Sequence, residues 1–172
     1  MKINDFTNTD PVRSLAGHIG LQNHGDGDDV AFRNVRVKEL GGTTPPTGVG
    51  PIVGLANKCI DVDNAGTADG TKIQLYTCNN SAAQRWTRTG NTFRALGKCL
   101  DVAGGASADR TKVQLYTCNN SGAQNWTPQS NGTITNPQSG KCLDVAGAAT
   151  ADRTQIQIFT CNNNAAQVWR LP

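Results

Sequence analysis

No stretch of this 172-residue chain is apolar for long enough to span a bilayer as a helix, so no membrane partner is expected. Met1-Lys2-Ile3-Asn4-Asp5-Phe6 lacks the apolar run of a signal peptide. Charge is scarce: charged residues make up 17%, the formal net charge is +3, and Lys and Arg are scattered singly. A nucleic-acid partner needs a concentrated phosphate-facing patch, and none is expected here. No Cys-x-x-Cys pair is present, against the usual spacing of zinc ligands. Nor is there a Gly-x-Ser-x-Gly elbow, a phosphate loop or a His-Glu-x-x-His pair, so no catalytic constellation is visible. Helix-favouring runs are few, whereas 19 glycines and 37% hydrophobic residues fit many short strands joined by turns. The expected class is all-β.

What the chain does have is one phrase in triplicate. Lys-Cys-(Ile/Leu)-Asp-Val begins at Lys58, Lys98 and Lys141, each time followed by Gln-(Leu/Ile)-(Tyr/Phe)-Thr-Cys-Asn-Asn and then Ala-Gln-x-Trp. Every cysteine and every tryptophan belongs to it. Intervals of 40 and then 43 residues mark three repeats, about 51–90, 91–130 and 131–172.

Six cysteines permit 15 pairings. The repeat favours the pairing that treats all copies alike and closes the same loop: Cys59 with Cys78, Cys99 with Cys118, Cys142 with Cys161. Each bridge is expected to contribute on the order of 3 kcal/mol. Such a framework belongs to an oxidising compartment, so the sequence is expected to be a fragment or mature form of a secreted protein.

Residues 1–40 lie outside the repeat and read as two strands around the turn Gly25-Asp26-Gly27-Asp28-Asp29. Two strands alone are marginal, so they are expected to pack on the repeat domain or self-associate with another copy. Gly-His-Ile-Gly-Leu-Gln-Asn-His-Gly and Val-Ala-Phe-Arg-Asn-Val-Arg-Val-Lys-Glu-Leu resemble the C-terminal end of the concanavalin-like jelly-roll domains of 3-keto-disaccharide hydrolase type, implying a remnant of such a domain. His18 and His24 beside Asp26, Asp28 and Asp29 offer a metal-ligand reading, but an acidic turn explains them better and no metal is expected. Residues 41–50, rich in Gly, Thr and Pro, read as a linker.

Each repeat reads as four short strands, in the first copy Ile52 to Ala56, Lys58 to Val62, Lys72 to Tyr76 and Gln84 to Arg88. Side chains alternate across a strand, so Ile60, Val62, Ile73 and Leu75 face the core. Cys59, Asp61, Gln74 and Tyr76 share the other face, and a Cys59 to Cys78 bridge gathers the last three into one patch. The later copies offer Asp101, Gln114 and Tyr116, then Asp144, Gln157 and Phe159. An ionised carboxylate accepts paired sugar hydroxyls, while the C–H face of a pyranose stacks on an aromatic ring. Read one at a time, the aspartates are better explained as turn stabilisers and the tyrosines as half-buried packing residues; their threefold recurrence on one face brings the binding reading level with the structural one.

Cys-Leu-Asp-Val, Val-Gln-Leu-Tyr-Thr-Cys-Asn and Gln-x-Trp in triplicate resemble the ricin-type β-trefoil lectins and family-13 carbohydrate-binding modules. The resemblance covers about 120 residues. It implies a β-trefoil of twelve strands in three pseudo-threefold lobes, with Trp86, Trp126 and Trp169 in the core. It assigns Asp61, Asp101 and Asp144 as acceptors for sugar hydroxyls, Tyr76, Tyr116 and Phe159 as stacking rings, and Gln74, Gln114 and Gln157 beside them. Many members carry Asn just before the Gln of Gln-x-Trp, where this chain has Ala83, Ala123 and Ala166. Either Asn79 or Asn80, Asn119 or Asn120, and Asn162 or Asn163 replace that contact from the neighbouring loop, or the sites are weaker or differently selective. Asp63 stands where the other copies have Ala103 and Ala146, and Phe159 lacks the hydroxyl of the two tyrosines, so lobes one and two are expected to bind better.

Paired-carboxylate hydrolysis needs two carboxyls about 5 to 10 Å apart, and each lobe offers one. The expected function is therefore non-catalytic binding of mono-, oligo- or polysaccharide containing galactose, xylose or arabinose, without cofactor, as the tether of a parent catalytic domain. The alternative is a β-trefoil scaffold for protein interaction or inhibition.

Overall fold

The computed structural model describes residues 48–172. The two-stranded reading of residues 1–40, its His and Asp turn, and all but the end of the 41–50 linker lie outside the described residues. Within them the chain is an all-β trefoil without α-helix, each lobe carrying short 3-10 turns between its strands.

Lobe one contains β2 (Cys59–Val62), β3 (Thr71–Tyr76) and β4 (Trp86–Thr89). A short leading strand, β1 (Val49–Gly50), pairs with β4. Lobe two contains β5 (Thr92–Ala95), β6 (Lys98–Val102), β7 (Val113–Tyr116) and β8 (Thr127–Pro128). Lobe three contains β9 (Ile134–Asn136), β10 (Lys141–Val145) and β11 (Thr154–Phe159). The remaining two of the twelve trefoil positions shrink to a bridge between Val53 and Arg170.

The strand expected over Ile52 to Ala56 is thus cut short. Ile52 is fully buried and Val53 pairs with both Cys59 and Arg170. At Gly54 an added Cβ would lie 2.4 Å from the Trp169 ring, so the chain passes where only glycine fits. Ala56 and Asn57 then turn in left-handed conformations. Likewise Gln84, expected in a strand, sits in the 3-10 turn Ala82–Gln84, and the strand begins at Trp86.

The three copies share one interior. Ile60, Val62, Ile73 and Leu75 of lobe one are fully buried, with Leu100, Val113, Leu115, Leu143, Val145, Ile156 and Ile158 beside them. Each such side chain contributes roughly 1.5–3 kcal/mol of hydrophobic stabilisation. Trp86, Trp126 and Trp169 are buried, as the resemblance implies, and each indole N–H is satisfied by an equivalent carbonyl. Trp86 Nε1 donates to Ile60 O at 2.9 Å, Trp126 Nε1 to Leu100 O at 3.0 Å and Trp169 Nε1 to Leu143 O at 3.0 Å. The expected disulfides link Cys59 to Cys78, Cys99 to Cys118 and Cys142 to Cys161, with Cα atoms 5.1 Å apart in each.

The third strands of the lobes pair in a ring about the pseudo-threefold axis. Lys72 faces Gln114, Lys112 faces Gln157, and Gln155 faces Gln74. At its centre Gln155 Nε2 lies within hydrogen-bonding distance of one carbonyl per lobe: Ile73 O at 3.1 Å, Val113 O at 3.0 Å and Ile156 O at 2.6 Å.

A second ring clasps neighbouring lobes from outside. Asp69 accepts from the backbone N–H and hydroxyl of Thr117 and from Lys98. Asp109 does the same with Thr160 and Lys141, and Asp152 with Thr77 and Lys58. The hydrogen bond from its lysine is the largest influence on each aspartate; desolvation opposes it, and the hydrogen bonds from its threonine help to hold the carboxyl below the ordinary range.

Candidate functional site

Antiparallel register puts the patch together. In β2 and β3 Asp61 stands opposite Gln74 and Cys59 opposite Tyr76; in β6 and β7 Asp101 opposes Gln114; in β10 and β11 Asp144 opposes Gln157. Facing side chains on one side of a sheet are in contact, and each glutamine donates to its aspartate. The Nε2 to Oδ1 distances are 3.0 Å from Gln74, 2.9 Å from Gln114 and 2.8 Å from Gln157.

This face is more enclosed than alternation alone implies. Each of the three aspartates is 5% exposed, because a 3-10 turn after the second cysteine folds over it. The turn delivers the glutamine of Gln-x-Trp. Gln84 Nε2 donates to Asp61 Oδ2 at 3.0 Å and to Thr77 O at 3.0 Å, while its Oε1 accepts from the Asn79 backbone N–H at 2.8 Å. Gln124 and Gln167 repeat all three bonds on Asp101 and Asp144 to within 0.1 Å. Both oxygens of every carboxylate are thereby oriented, at about 1.5–3 kcal/mol for each hydrogen bond to a charged group. In the sequence this glutamine is legible only as a family marker. Its recurrence beside a buried tryptophan was the available signal, but its reach across 23 residues to the aspartate appears only in three dimensions.

Above each carboxylate lies an open cavity, of about 200 Å³ in lobe one, 330 Å³ in lobe two and 240 Å³ in lobe three. Asp61, Gln74, Tyr76 and Asn79 line the first; Asp101, Gln114, Tyr116 and Asn119 the second; Asp144, Gln157, Phe159 and Asn162 the third. The aspartate forms the floor and the aromatic ring, partly exposed, the rim.

The paired asparagines separate into two jobs. Asn79 Oδ1 accepts from the Ser81 N–H, Asn119 Oδ1 from the Ser121 N–H and Asn162 Oδ1 from the Asn164 N–H, fixing the first asparagine in its pocket wall. Asn80, Asn120 and Asn163 do not line these cavities; they turn the chain in the left-handed region at φ 58, 58 and 59°. Asn163 instead accepts from Asn131. Ala83 and Ala123 present a methyl wall in the first two cavities.

Other residues come from unexpected places. Asp63 and Asn64 line the first cavity from the turn after β2. Arg153 of lobe three enters it too, Arg110 of lobe two lines the third cavity, and Gln138 of lobe three lines the second. Gln138 belongs to the longer β9–β10 turn that accompanies the 43-residue interval, and its Nε2 donates to Gly105 O at 2.7 Å. At Gly122 an added Cβ would lie 2.2 Å from Gln138 Oε1, so glycine there admits the side chain.

Burial raises the Asp144 carboxyl above its ordinary range, the hydrogen bonds from Gln157 and Gln167 oppose the rise, and the nearby Asp109 charge adds to it. In lobe one the Gln74 Oε1 is buried without a hydrogen-bond partner.

An oriented carboxylate beneath an aromatic rim accepts hydroxyl protons from a polyol whose C–H face rests on the ring. The fold that carries this arrangement is shared with known proteins. The chain is 32% identical to a non-toxic type II ribosome-inactivating protein homologue from Momordica charantia solved with α-methyl-D-galactoside, over 72% of this chain and 46% of that one, with a TM-score of 0.65. It is 25% identical to the exo-β-1,3-galactanase 1,3Gal43A of Clostridium thermocellum, over 73% of this chain and 30% of that one, with a TM-score of 0.65. Among curated proteins it is 50% identical over 53 residues to a glucan endo-1,3-β-glucosidase of Cellulosimicrobium cellulans, a match covering 30% of this chain and a tenth of the enzyme's length. The jelly-roll resemblance of residues 1–40 gains no support from these matches, since the family match begins at residue 48. That match, to the ricin-type beta-trefoil lectin domain, spans residues 48–169, and the chain belongs to this family.

Proposed function

We propose that the chain is a non-catalytic carbohydrate-binding module with up to three sugar sites, holding a secreted glycan-active enzyme on polysaccharide that contains galactose, xylose or arabinose. The observation that carries this reading is the threefold recurrence of a buried aspartate, clamped by two glutamines, at the floor of an open cavity with an aromatic rim. The site residues are Asp61, Gln74, Tyr76 and Asn79 with their counterparts in lobes two and three. Galactoside in the Momordica homologue supports a sugar ligand. The small share of the glucanase and galactanase chains that this domain matches supports a tethering role, and three disulfides support an extracellular setting.

Shallow single sites have dissociation constants around the millimolar scale, about −4 kcal/mol each. Retention on a polymer then comes from multivalency, which raises avidity by roughly 10² to 10⁴. Titration against galactose, lactose, xylan and arabinan tests the reading, together with Asp61→Ala, Asp101→Ala and Asp144→Ala singly and combined. The expected result is stepwise loss of polysaccharide retention. Absence of binding to every glycan at millimolar concentration, or unchanged retention in the triple variant, would overturn it.

A further inference from the structure

The residue just before each third strand sits beside the next lobe's site, lines the cavity in lobes one and three, and differs among the three copies. Gly70, Arg110 and Arg153 each follow a clasp aspartate. Their N–H groups donate to equivalent carbonyls of the next lobe, Leu115 O at 2.9 Å, Ile158 O at 2.8 Å and Leu75 O at 2.8 Å. All three are left-handed, at φ 85, 68 and 68°. Glycine adopts this backbone freely, whereas arginine does so only under strain. The clasp aspartates hold it in place.

The consequence for charge is uneven. Arg110 lines the cavity of lobe three, whose turn residues Gly147 and Ala148 bring no acid to the rim. Arg153 lines the cavity of lobe one but shares it with Asp63. Over lobe two stands Gly70, whose added Cβ would lie 3.8 Å from Gln114 Oε1. Among the described residues neither guanidinium has an ion-pair partner, and both are exposed.

Resting on the sugar-binding reading above, we propose that lobe three selects an anionic pyranose, with Arg110 as its specificity-determining residue, while lobe two takes neutral sugars. The sugar's hydroxyls meet Asp144 on the floor, and its carboxylate or sulfate ester meets the guanidinium at the rim. A planar guanidinium fork matches such oxyanions in two-point contact, which an ammonium cannot reproduce. In lobe one the Asp63 charge offsets Arg153, and the preference there is weaker.

The test is titration of the isotope-labelled full chain with methyl α-galactoside, the corresponding galacturonate and the 6-sulfate. Amides of Gly147 and Asn162 report on lobe three, and those of Gly104 and Asn119 on lobe two. The expected result is about fivefold tighter binding of at least one anionic sugar at lobe three, weakened by salt. The better of the two identifies the anion. Arg110→Gly installs the residue that lobe one carries on the same backbone, so folding is preserved. It should bring the anionic-to-neutral ratio near one, and Gly70→Arg should confer a preference on lobe two. Equal binding of neutral and anionic sugars at lobe three, or a preference that survives Arg110→Gly, overturns the proposal alone. Failure of every sugar to bind at any lobe overturns it together with the reading beneath it.

Discussion

Lobes two and three have floors bonded alike and dissimilar rims. Gln124 and Gln167 make the same bonds, and the aspartates beneath are equally enclosed. Around the rims, Tyr116, Gln138 and Gly70 in one lobe stand against Phe159 and Arg110 in the other. The floor is tied through its glutamine turn to a buried tryptophan two residues on, so any change there is felt by the core. The rim is built of exposed side chains, some lent by another lobe, and can vary without touching that core.

Equality of the interiors is tested most severely by Trp126→Ala and Trp169→Ala. Each should cost roughly 3–5 kcal/mol in urea unfolding, and a large difference between them would contradict the shared scaffold. Next come Gln124→Ala and Gln167→Ala, which strip a carboxylate, a backbone N–H and a carbonyl of their partner. Losses of about 2–3 kcal/mol in unfolding free energy are expected, with sugar binding abolished in the altered lobe.

Asp101→Ala and Asp144→Ala should each weaken sugar binding about tenfold or more in their own lobe, measured from its amide shifts, and leave the other intact. pH separates two acids near lobe three. Asp144, raised by burial, should lose its role as hydroxyl acceptor as pH falls through a value above the ordinary carboxylate range. Its shift favours the fold below the ordinary range, and that contribution is lost as pH rises through the raised value. Asp109, lowered by Lys141, has the opposite sign: its stabilisation is present above the ordinary range and is lost as pH falls through its depressed value. Melting temperature against pH for Asp109→Asn should show a smaller acid-side decline than the parent chain. The smallest effect is expected from Phe159→Tyr, which restores the hydroxyl of lobes one and two. It should tighten sugar binding at lobe three by no more than about fivefold, the worth of one solvent-exposed hydrogen bond.

Much of this was readable from residue order. Two-residue alternation puts Asp61 on one face of its strand and Gln74 with Tyr76 on one face of theirs, and the Cys59 to Cys78 pairing that the repeat favours brings the two faces together. Gln84 is not legible as a clamp because its place in the chain reads as strand, whereas a 3-10 turn aims it at the carboxylate. Asn79 and Asn80 are identical in type, and only backbone dihedral angles tell the wall residue from the turn residue. Arg110 and Arg153 could not be assigned to their cavities without knowing that each lobe borrows from its neighbour. The 43-residue interval was visible, but not that its longer turn would bring Gln138 to lobe two.

The amide of Gln155 sits at a place that belongs to no lobe. A rotation axis passes through a single line, and a side chain lying on it cannot have two symmetry mates in the same space. Lys72 and Lys112, its counterparts in sequence, must end elsewhere, and Lys72 reaches out to the Arg153 carbonyl. Three glutamines placed like Gln155 would compete for one berth. Divergence at this position lets a single side chain bond all three lobes at the centre, independent of what any lobe binds.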